Sequence, residues 1–405
     1  MVINSSKDFM ELELTNDKYN IFDDYRLACF EEGYESAIKH LWLNNIEGVE
    51  LNHIIQLKRV LGNVWNIYDA SERTLGNVVS EQIARRISKS KSGSKIIELY
   101  QRIEEKGISL LYPEKSSYPH KLRHIYAPPQ LLYVKGRIKN CLNEYNKTIG
   151  MVGSRNPSVY GREICRCFGE NLARAGYNIV SGLARGIDGI AHKAALDNGG
   201  YTVAVLGSGI NVAYPRSNID LYARIEENGA IISEYGLDVR PNPWQFPIRN
   251  RIISGLSDGI LVVEARAESG SLITAEHALE QGRTVYSIPG RIMDKSSEGN
   301  NSILREGAIC ITKPEDIIED LNSVSYENYQ KDSKCNNTTF RKSDNMNLNA
   351  EEERILSVLS LDPIYIDEIM QQTHLGVTKT ISLLYLLEEK GLIKQQSKGY
   401  YILHI

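Results

Sequence analysis

Thr148-Ile149-Gly150-Met151-Val152-Gly153-Ser154-Arg155, followed one helix length later by Asn178-Ile179-Val180-Ser181-Gly182-Leu183-Ala184-Arg185-Gly186-Ile187-Asp188, decides the fold. Each half is a short apolar run that ends in glycine, serine and arginine. Near-continuous apolar runs belong to strands buried on both faces, and the intervening stretch suits a crossover helix, so the pair predicts a βαβ unit of a parallel sheet. In such a sheet the carboxyl ends of the strands face one crevice, where helix N-termini offer free N–H groups to an anion. Arginine adds a planar fork of donors matched to phosphate oxygens. The stretch therefore predicts a phosphate-reading crevice.

Outward from it the alternation continues, with strands expected near Thr202–Leu206, Ala230–Ser233, Gly259–Glu264, Thr284–Ser287 and Ala308–Ile311. Helical stretches separate most of them, which is the signature of an α/β fold on an open parallel sheet. Pro314–Leu321 closes it as a helix with proline in the first turn. Upstream, Ile108–Tyr112 and Leu131–Gly136 are strand runs divided by the Tyr118-Pro119 and Pro128-Pro129 turns, and they lead into the sheet. Before residue 105 the chain reads as helical, with apolar spacing over Tyr25–Leu43, Leu51–Leu61 and Glu81–Ile87. The turns Asn45–Glu50 and Leu61–Val64 resemble those of helix-hairpin-helix modules that grip a backbone phosphate. The alternative is a packed helical cap with glycine C-caps. Downstream, Tyr326–Leu348 has linker composition. Helices at Ala350–Leu361, Ile366–Gln372 and Val377–Lys390, then a hairpin of Leu392–Gln395 and Tyr400–Leu403, spell a winged helix. The expected organisation is a helical, SAM-like domain (1–105), a Rossmann-like sheet domain (106–322), a linker (323–348) and a winged-helix domain (349–405).

The chain of 405 residues is 42% hydrophobic and 24% charged, ordinary for a globular protein, and its net charge of -4 supplies no overall field for nucleic acid. Any polyanion site must be a local gathering of arginine and lysine. Cys29, Cys141, Cys165, Cys167, Cys310 and Cys335 show no metal spacing, and buried, reduced thiols are expected. Met1–Asn20 carries charges through its mildly apolar part, so neither a signal peptide nor a membrane span is expected, and a reducing cytoplasm fits both facts.

Five strand ends carry the small and cationic residues: Gly153-Ser154-Arg155, Ser181 to Asp188, Gly207-Ser208-Gly209, Phe246 to Arg251, and Ser269-Gly270-Ser271-Leu272-Ile273-Thr274. Glycine lets a backbone approach a ligand, and serine or threonine brings a hydroxyl. A dinucleotide enzyme needs G-x-G-x-x-G after the first strand, but Arg155 stands where the second glycine would admit pyrophosphate, and the second strand ends in Ser181-Gly182 rather than an acid. No P-loop motif occurs. Neither hydride transfer nor P-loop ATP hydrolysis is expected on these grounds, and no metal or cofactor is expected.

Those motifs, with Ala191-His192, Tyr214-Pro215, Ile232-Ser233-Glu234 and Pro289-Gly290, resemble the full set of the DNA-processing protein A family (DprA, also called Smf) over residues 105 to 321. The resemblance implies an extended Rossmann-like domain that binds and shields single-stranded DNA and helps load the RecA recombinase onto it in natural transformation or homologous recombination. It also implies a homodimer formed through that domain, and a non-enzymatic role. Carried over, Arg155 is a phosphate-binding arginine at the pocket mouth, Arg249 and Arg251 are further cations, and Phe246 is the ring on which a base stacks. Gly153, Ser154, Ser181, Gly182, Arg185, Gly207, Asn250, Ser269, Gly270, Ser271 and Thr274 complete the DNA-binding set. Several relatives have a lysine three residues before that phenylalanine; here Pro243 stands there, so either Trp244 adds a stacking surface or the pocket is less basic.

Alternatives stay open at several positions. Phe246 as core, Arg185 as an ion-pair partner of Asp188 or Glu234, and Asp188 with His192 as an i,i+4 pair ordering a helix start all compete with site roles. Ser269 to Glu276 also resembles a variant of the loop of LOG-type nucleotide phosphoribohydrolases, which would make Glu276 catalytic. The winged helix holds five basic and eight acidic residues, net -3, and its third helix carries only Lys379 near its start, so it is expected to bind protein or to assist DNA weakly.

Overall fold

A computed structural model describes residues 32–91, 95–137, 147–328, 349–360, 363–397 and 399–403. Cys29, Cys141, Cys335, Asp362, Lys398, the first 31 residues and 329–348 of the expected linker lie outside them.

Six helices open the described chain: Glu32–Asn44 (α1), Leu51–Leu61 (α2), Val64–Asp69 (α3), Glu72–Gly76 (α4), Glu81–Lys89 (α5) and Lys95–Glu105 (α6). Both α3 and α4 are too short for periodicity to reveal, and side-chain caps from Asn63 and Ser71 set their starts. Trp42, Leu57, Ile67, Leu75 and Ile87 form their shared core. The Asn45–Glu50 turn is closed from within: Val49 N–H donates to Ile46 O at 3.0 Å and Arg86 Nη1 to Glu47 O at 2.8 Å. The second bond packs the turn against α5, the arrangement expected of a helical cap, with Glu47 and Gly48 exposed.

The sheet strands are Ser109–Leu111 (β1), Leu132–Gly136 (β2), Thr148–Val152 (β3), Asn178–Ser181 (β4), Thr202–Leu206 (β5), Ala230–Ser233 (β6), Gly259–Val262 (β7), Thr284–Ser287 (β8) and Ile309–Cys310 (β9). Their spatial order is β1-β2-β6-β5-β4-β3-β7-β8-β9, with β3 to β9 parallel and β1 and β2 antiparallel additions at one edge. After a short turn of helix at His120–Arg123 (α7), the connecting helices are Val159–Arg174 (α8), Ile187–Asp197 (α9), Ile219–Asn228 (α10), Gln245–Leu256 (α11), Gly270–Glu280 (α12), Glu298–Arg305 (α13) and Pro314–Asn328 (α14). The last runs past the expected end because neither glycine nor proline interrupts Asn322–Asn328, so it enters the span read as linker.

From β3 the chain winds outward to β6, then α11 carries it back across β5, β4 and β3 to start again at β7. The winding direction reverses between β3 and β7, and the crevice at their carboxyl ends is the topological switch point of the sheet. Strand side chains alternate strictly. Val152, Val180, Val203 and Val262 pack under α11 and α12, while Ile149, Met151, Ile179 and Leu261 pack under α8 and α9. Ala37, Leu41 and Ile103 seat the helical body on Tyr133, Leu206 and Ile231 of the sheet.

Cys165 and Cys167 of α8 are buried, and burial pushes both thiols up in pKa. Cys310 corrects the expectation of buried thiols: it is exposed, because β9 is an edge strand with a neighbour on one side only. Among the described residues no helix is long and apolar enough to cross a membrane.

The C-terminal module comprises Ala350–Val358 (α15), Ile364–Tyr365 (β10), Ile366–Thr373 (α16), Val377–Glu389 (α17), Ile393–Ser397 (β11) and Tyr400–Leu403 (β12), a winged helix with sheet order β10-β12-β11. Asn349 and Glu352 form a capping box that ties down its start. The outer face of α17 exposes Val377, Ile381 and Tyr385, and Lys379 is ion-paired with Glu351.

Candidate functional site

At the switch point the carboxyl end of β3, the turn after β4, and the helices α11 and α12 near their N-termini enclose an open pocket of about 500 Å³. The segment Phe246 to Arg251, read from sequence as a strand-end loop, is helical. Helical spacing explains which of its residues meet. Phe246, Arg249, Asn250 and Ile253, at i, i+3, i+4 and i+7, share one face and line the pocket. Arg251 does not line it.

Arg249 is 5% exposed. Its guanidinium donates to Gly182 O at 2.9 Å and to Val205 O, and its Nε donates to Asn250 Oδ1 at 3.1 Å. Burial pulls it down to about 10, with Asp188 opposing and Arg155 adding to that pull, so it remains a cation at neutral pH. Gly182 makes the approach possible: a Cβ there would lie 2.5 Å from Arg249 Nη2. Gly182→Ala is therefore expected to destabilise the fold by about 1 to 3 kcal/mol, seen as a lower urea midpoint. An unchanged midpoint would mean that Arg249 swings out freely.

Phe246 is half-buried, neither core nor fully exposed, which sets it at a rim. Arg155 Cζ lies 5.6 Å and Arg249 Cζ 5.9 Å from its ring centre, so two guanidinium groups from segments almost a hundred positions apart address one ring. Gly207 cradles that ring, since a Cβ there would come within 2.7 Å of it. The second aromatic of the pocket is Tyr214, whose ring stands 5.8 Å from Phe246. Trp244 instead stands edge-on to Tyr235 at 6.3 Å and lies outside the lining, while Pro243 is part of it.

On the far wall Ser269 caps α12, and its hydroxyl lies 2.7 Å from that of Ser271. Gly270 leaves open space beside them, and Thr274 follows one turn on. An 11-residue helix thus turns its positive end and three hydroxyls to the cavity. The N-terminus of α8, where a dinucleotide pyrophosphate would sit, is occupied by protein. The buried Glu264 carboxylate accepts the Ser158 N–H at 3.0 Å and the Ser158 hydroxyl. That carboxylate closes the dinucleotide position.

Other expected site residues play supporting parts. Gly153 lines the pocket beside Arg155, and Ser154 outside the lining donates its N–H to Glu264 O at 2.7 Å. Ser181 is buried, its hydroxyl donating to Met151 O at 2.6 Å. Arg185 is exposed, lines nothing in this pocket, and pairs with neither Asp188 nor Glu234. Arg251 is the clearest correction: 6% exposed, it is bound to Glu234 at 2.6 Å on the side of α11 turned from the pocket. Asp188 and His192 do not pair. Asp188 accepts the N–H groups of Gly182 and Ala184 at 3.1 and 3.4 Å, ordering the start of α9, and His192 bonds Thr202 at 2.6 Å. Burial pushes Asp188 up and holds His192 down at about 3, neutral. Glu276 is exposed on α12 and does not line the pocket.

Two family models match this chain. The family model for DNA recombination-mediator protein A matches residues 109–322, and that for the DprA winged helix domain matches residues 341–399. Protein Smf of Escherichia coli is 40% identical over 299 residues, 74% of this chain and 78% of that protein. The DNA processing protein DprA of Bacillus subtilis is 42% identical over 217 residues, 54% of this chain and 72% of that one. The X-ray structure of DNA processing protein A from Streptococcus pneumoniae aligns with a TM-score of 0.62 at 32% identity, covering 70% of this chain and 96% of that chain. With the sheet domain matched from β1 to α14, and a relative of this identity matched over most of its length, the chain belongs to the DNA recombination-mediator protein A (DprA/Smf) family.

Proposed function

We propose that this protein binds single-stranded DNA in the switch-point pocket, a base stacking on Phe246 while Arg155, Arg249 and the α12 N-terminus hold the flanking phosphates. The observation that carries the reading is one half-buried aromatic ring addressed by two guanidinium groups above a helix N-terminus. An aromatic platform gives sequence-tolerant affinity of about 1 to 3 kcal/mol per base, and phosphate contacts give salt-sensitive affinity. The names of the relatives, DNA processing proteins, agree with it. Shielding the strand and helping RecA load onto it, as a homodimer in the cytoplasm, is the wider role we assign on the family resemblance. The acidic winged helix, with its apolar α17 face, is assigned to protein contact rather than duplex reading.

Hydrolysis of a nucleotide fits the site less well. The carboxylate that reading requires, Glu276, is exposed and does not line the pocket, and the carboxylate that lines it, Asp188, is engaged by two backbone N–H groups.

A gel-shift titration with oligothymidylate, paired with light scattering, tests binding and stoichiometry together. With three or four phosphates neutralised per pocket, log K is expected to fall with log salt at a slope of about -2 to -3. A flat response would remove the phosphates from the account.

A further inference from the structure

A second cavity begins where the first ends, and Arg155 lines both. Beyond Arg155 a cleft of about 630 Å³ is bordered by Arg162 of α8, Lys193 of α9, and Asn218, Asp220 and Arg224 at the start and along the length of α10. Three helices from separate parts of the chain thus bring one cation each to one hollow. Arg162 Nη1 donates to Pro157 O at 2.8 Å, which holds its guanidinium at the cleft wall. Asp197 pairs with both Lys193 and Arg224, drawing together cations of two helices that remain 65% and 42% exposed. Setting Asp197 and Asp220 against Arg155, Arg162, Lys193 and Arg224 leaves a net charge of +2 at the cleft. No aromatic ring lines it among the described residues, so it offers charge without a stacking surface.

The wall between the cavities is two loops pressed together, Ile187 N–H donating to Ser154 O at 3.1 Å. Ala184 lines the first cavity and Gly186 the second, so the exposed Arg185 between them stands on the divide. Arg155, on the other loop, stands there too. Neither arginine has an acidic partner among the described residues. Two guanidinium groups without an acidic partner therefore stand between the stacking pocket and the cationic cleft. A polyanion that fills one cavity and continues must cross them.

We propose that this cleft is a second subsite, which grips the sugar-phosphate backbone of a strand whose base occupies the Phe246 pocket, the strand crossing the divide at Arg155 and Arg185. The inference rests on the single-strand reading of the first pocket. It divides the labour: bases are held on one side of the divide and backbone alone on the other, so affinity depends on strand length.

The test uses the full chain, the variant Arg162→Ala/Lys193→Ala/Arg224→Ala, and oligothymidylates of about 4 and about 16 nucleotides, the bounds of common single-strand site sizes. The native protein is expected to prefer the longer strand, and the variant to lose at least about tenfold of that long-to-short affinity ratio. With about three fewer phosphates neutralised, its salt slope on the longer strand should shrink by about 2. Arg185→Ala and Arg162→Ala, each a change at an exposed side chain, should show part of the same loss if the triple variant fails to fold. A ratio equal in native protein and variants overturns the second subsite and leaves the first pocket standing. Failure of the native protein to bind either strand overturns both.

Discussion

Arg155→Glu is expected to weaken single-strand binding by about two to three orders of magnitude without moving the unfolding transition. Arg155 is exposed and rests against the face of Phe246, so removing it strands no buried group. Losing a charge-assisted bond to phosphate costs about 1.5 to 3 kcal/mol, and setting a carboxylate against the same phosphate adds about 1 kcal/mol of repulsion in a water-like surrounding. Together these give about 2.5 to 4 kcal/mol, the affinity loss stated. Arg155→Lys keeps the charge but loses the planar fork and its match to the ring, so it should fall between the two. Fluorescence anisotropy with a labelled oligothymidylate reads the affinity, and thermal melting reads the fold. Affinity for the Glu variant within about threefold of native would remove Arg155 from the site.

That test is possible because the site was half legible before any coordinate. Apolar strand runs ending in glycine and serine located the crevice, since strand burial and turn chemistry are local properties that a sequence displays. Tyr214 appeared there only as part of a motif; its place beside Phe246 depends on a loop path that no local rule sets. The helical register of Phe246 to Arg251 was hidden by a different cause. With Arg249, Asn250 and Arg251 all buried polar residues, α11 lacks the polar and apolar faces that announce a helix. Once the segment is helical, a separation of two residues places Arg249 and Arg251 on different sides. The family resemblance put Arg249 and Arg251 in one pocket with Arg155, and a loop reading of the stretch gave no register to separate them. Glu264 was hidden in the same way: as the end of an apolar strand it looks like a stray acid, and only the sheet order brings it to the N-terminus of α8. The antiparallel β1 and β2 were visible as strands, but β6, which joins β2 to the sheet, lies about a hundred residues away, and pairing at that distance is a tertiary property.

Arg251 supplies the sharper contrast, because its removal should act on the fold and not on DNA. The pair it makes with Glu234 is 7% and 15% exposed, and burial pushes the Glu234 carboxyl up while Arg251 pulls it back. Breaking such a pair from one side leaves an uncompensated buried charge, so Arg251→Gln is expected to cost about 3 to 5 kcal/mol in urea unfolding. Single-strand affinity, measured where the variant is folded, should stay near native, since the Arg251 side chain leaves the pocket lining to Arg249 on the opposite face of the turn. The pH dependence has a definite sign. With Arg251 gone, the folded value of Glu234 stands still further above its ordinary 4.5. The folded state then holds a proton that the unfolded chain releases, so stability is greatest near and below pH 4.5 and falls as pH rises through the folded value. The deficit of Arg251→Gln against native should therefore narrow on acidification toward that pH, and Arg251→Leu/Glu234→Leu, which removes both charges, should recover most of it at neutral pH. A variant that keeps its stability and loses DNA instead would return Arg251 to the pocket as a third cation.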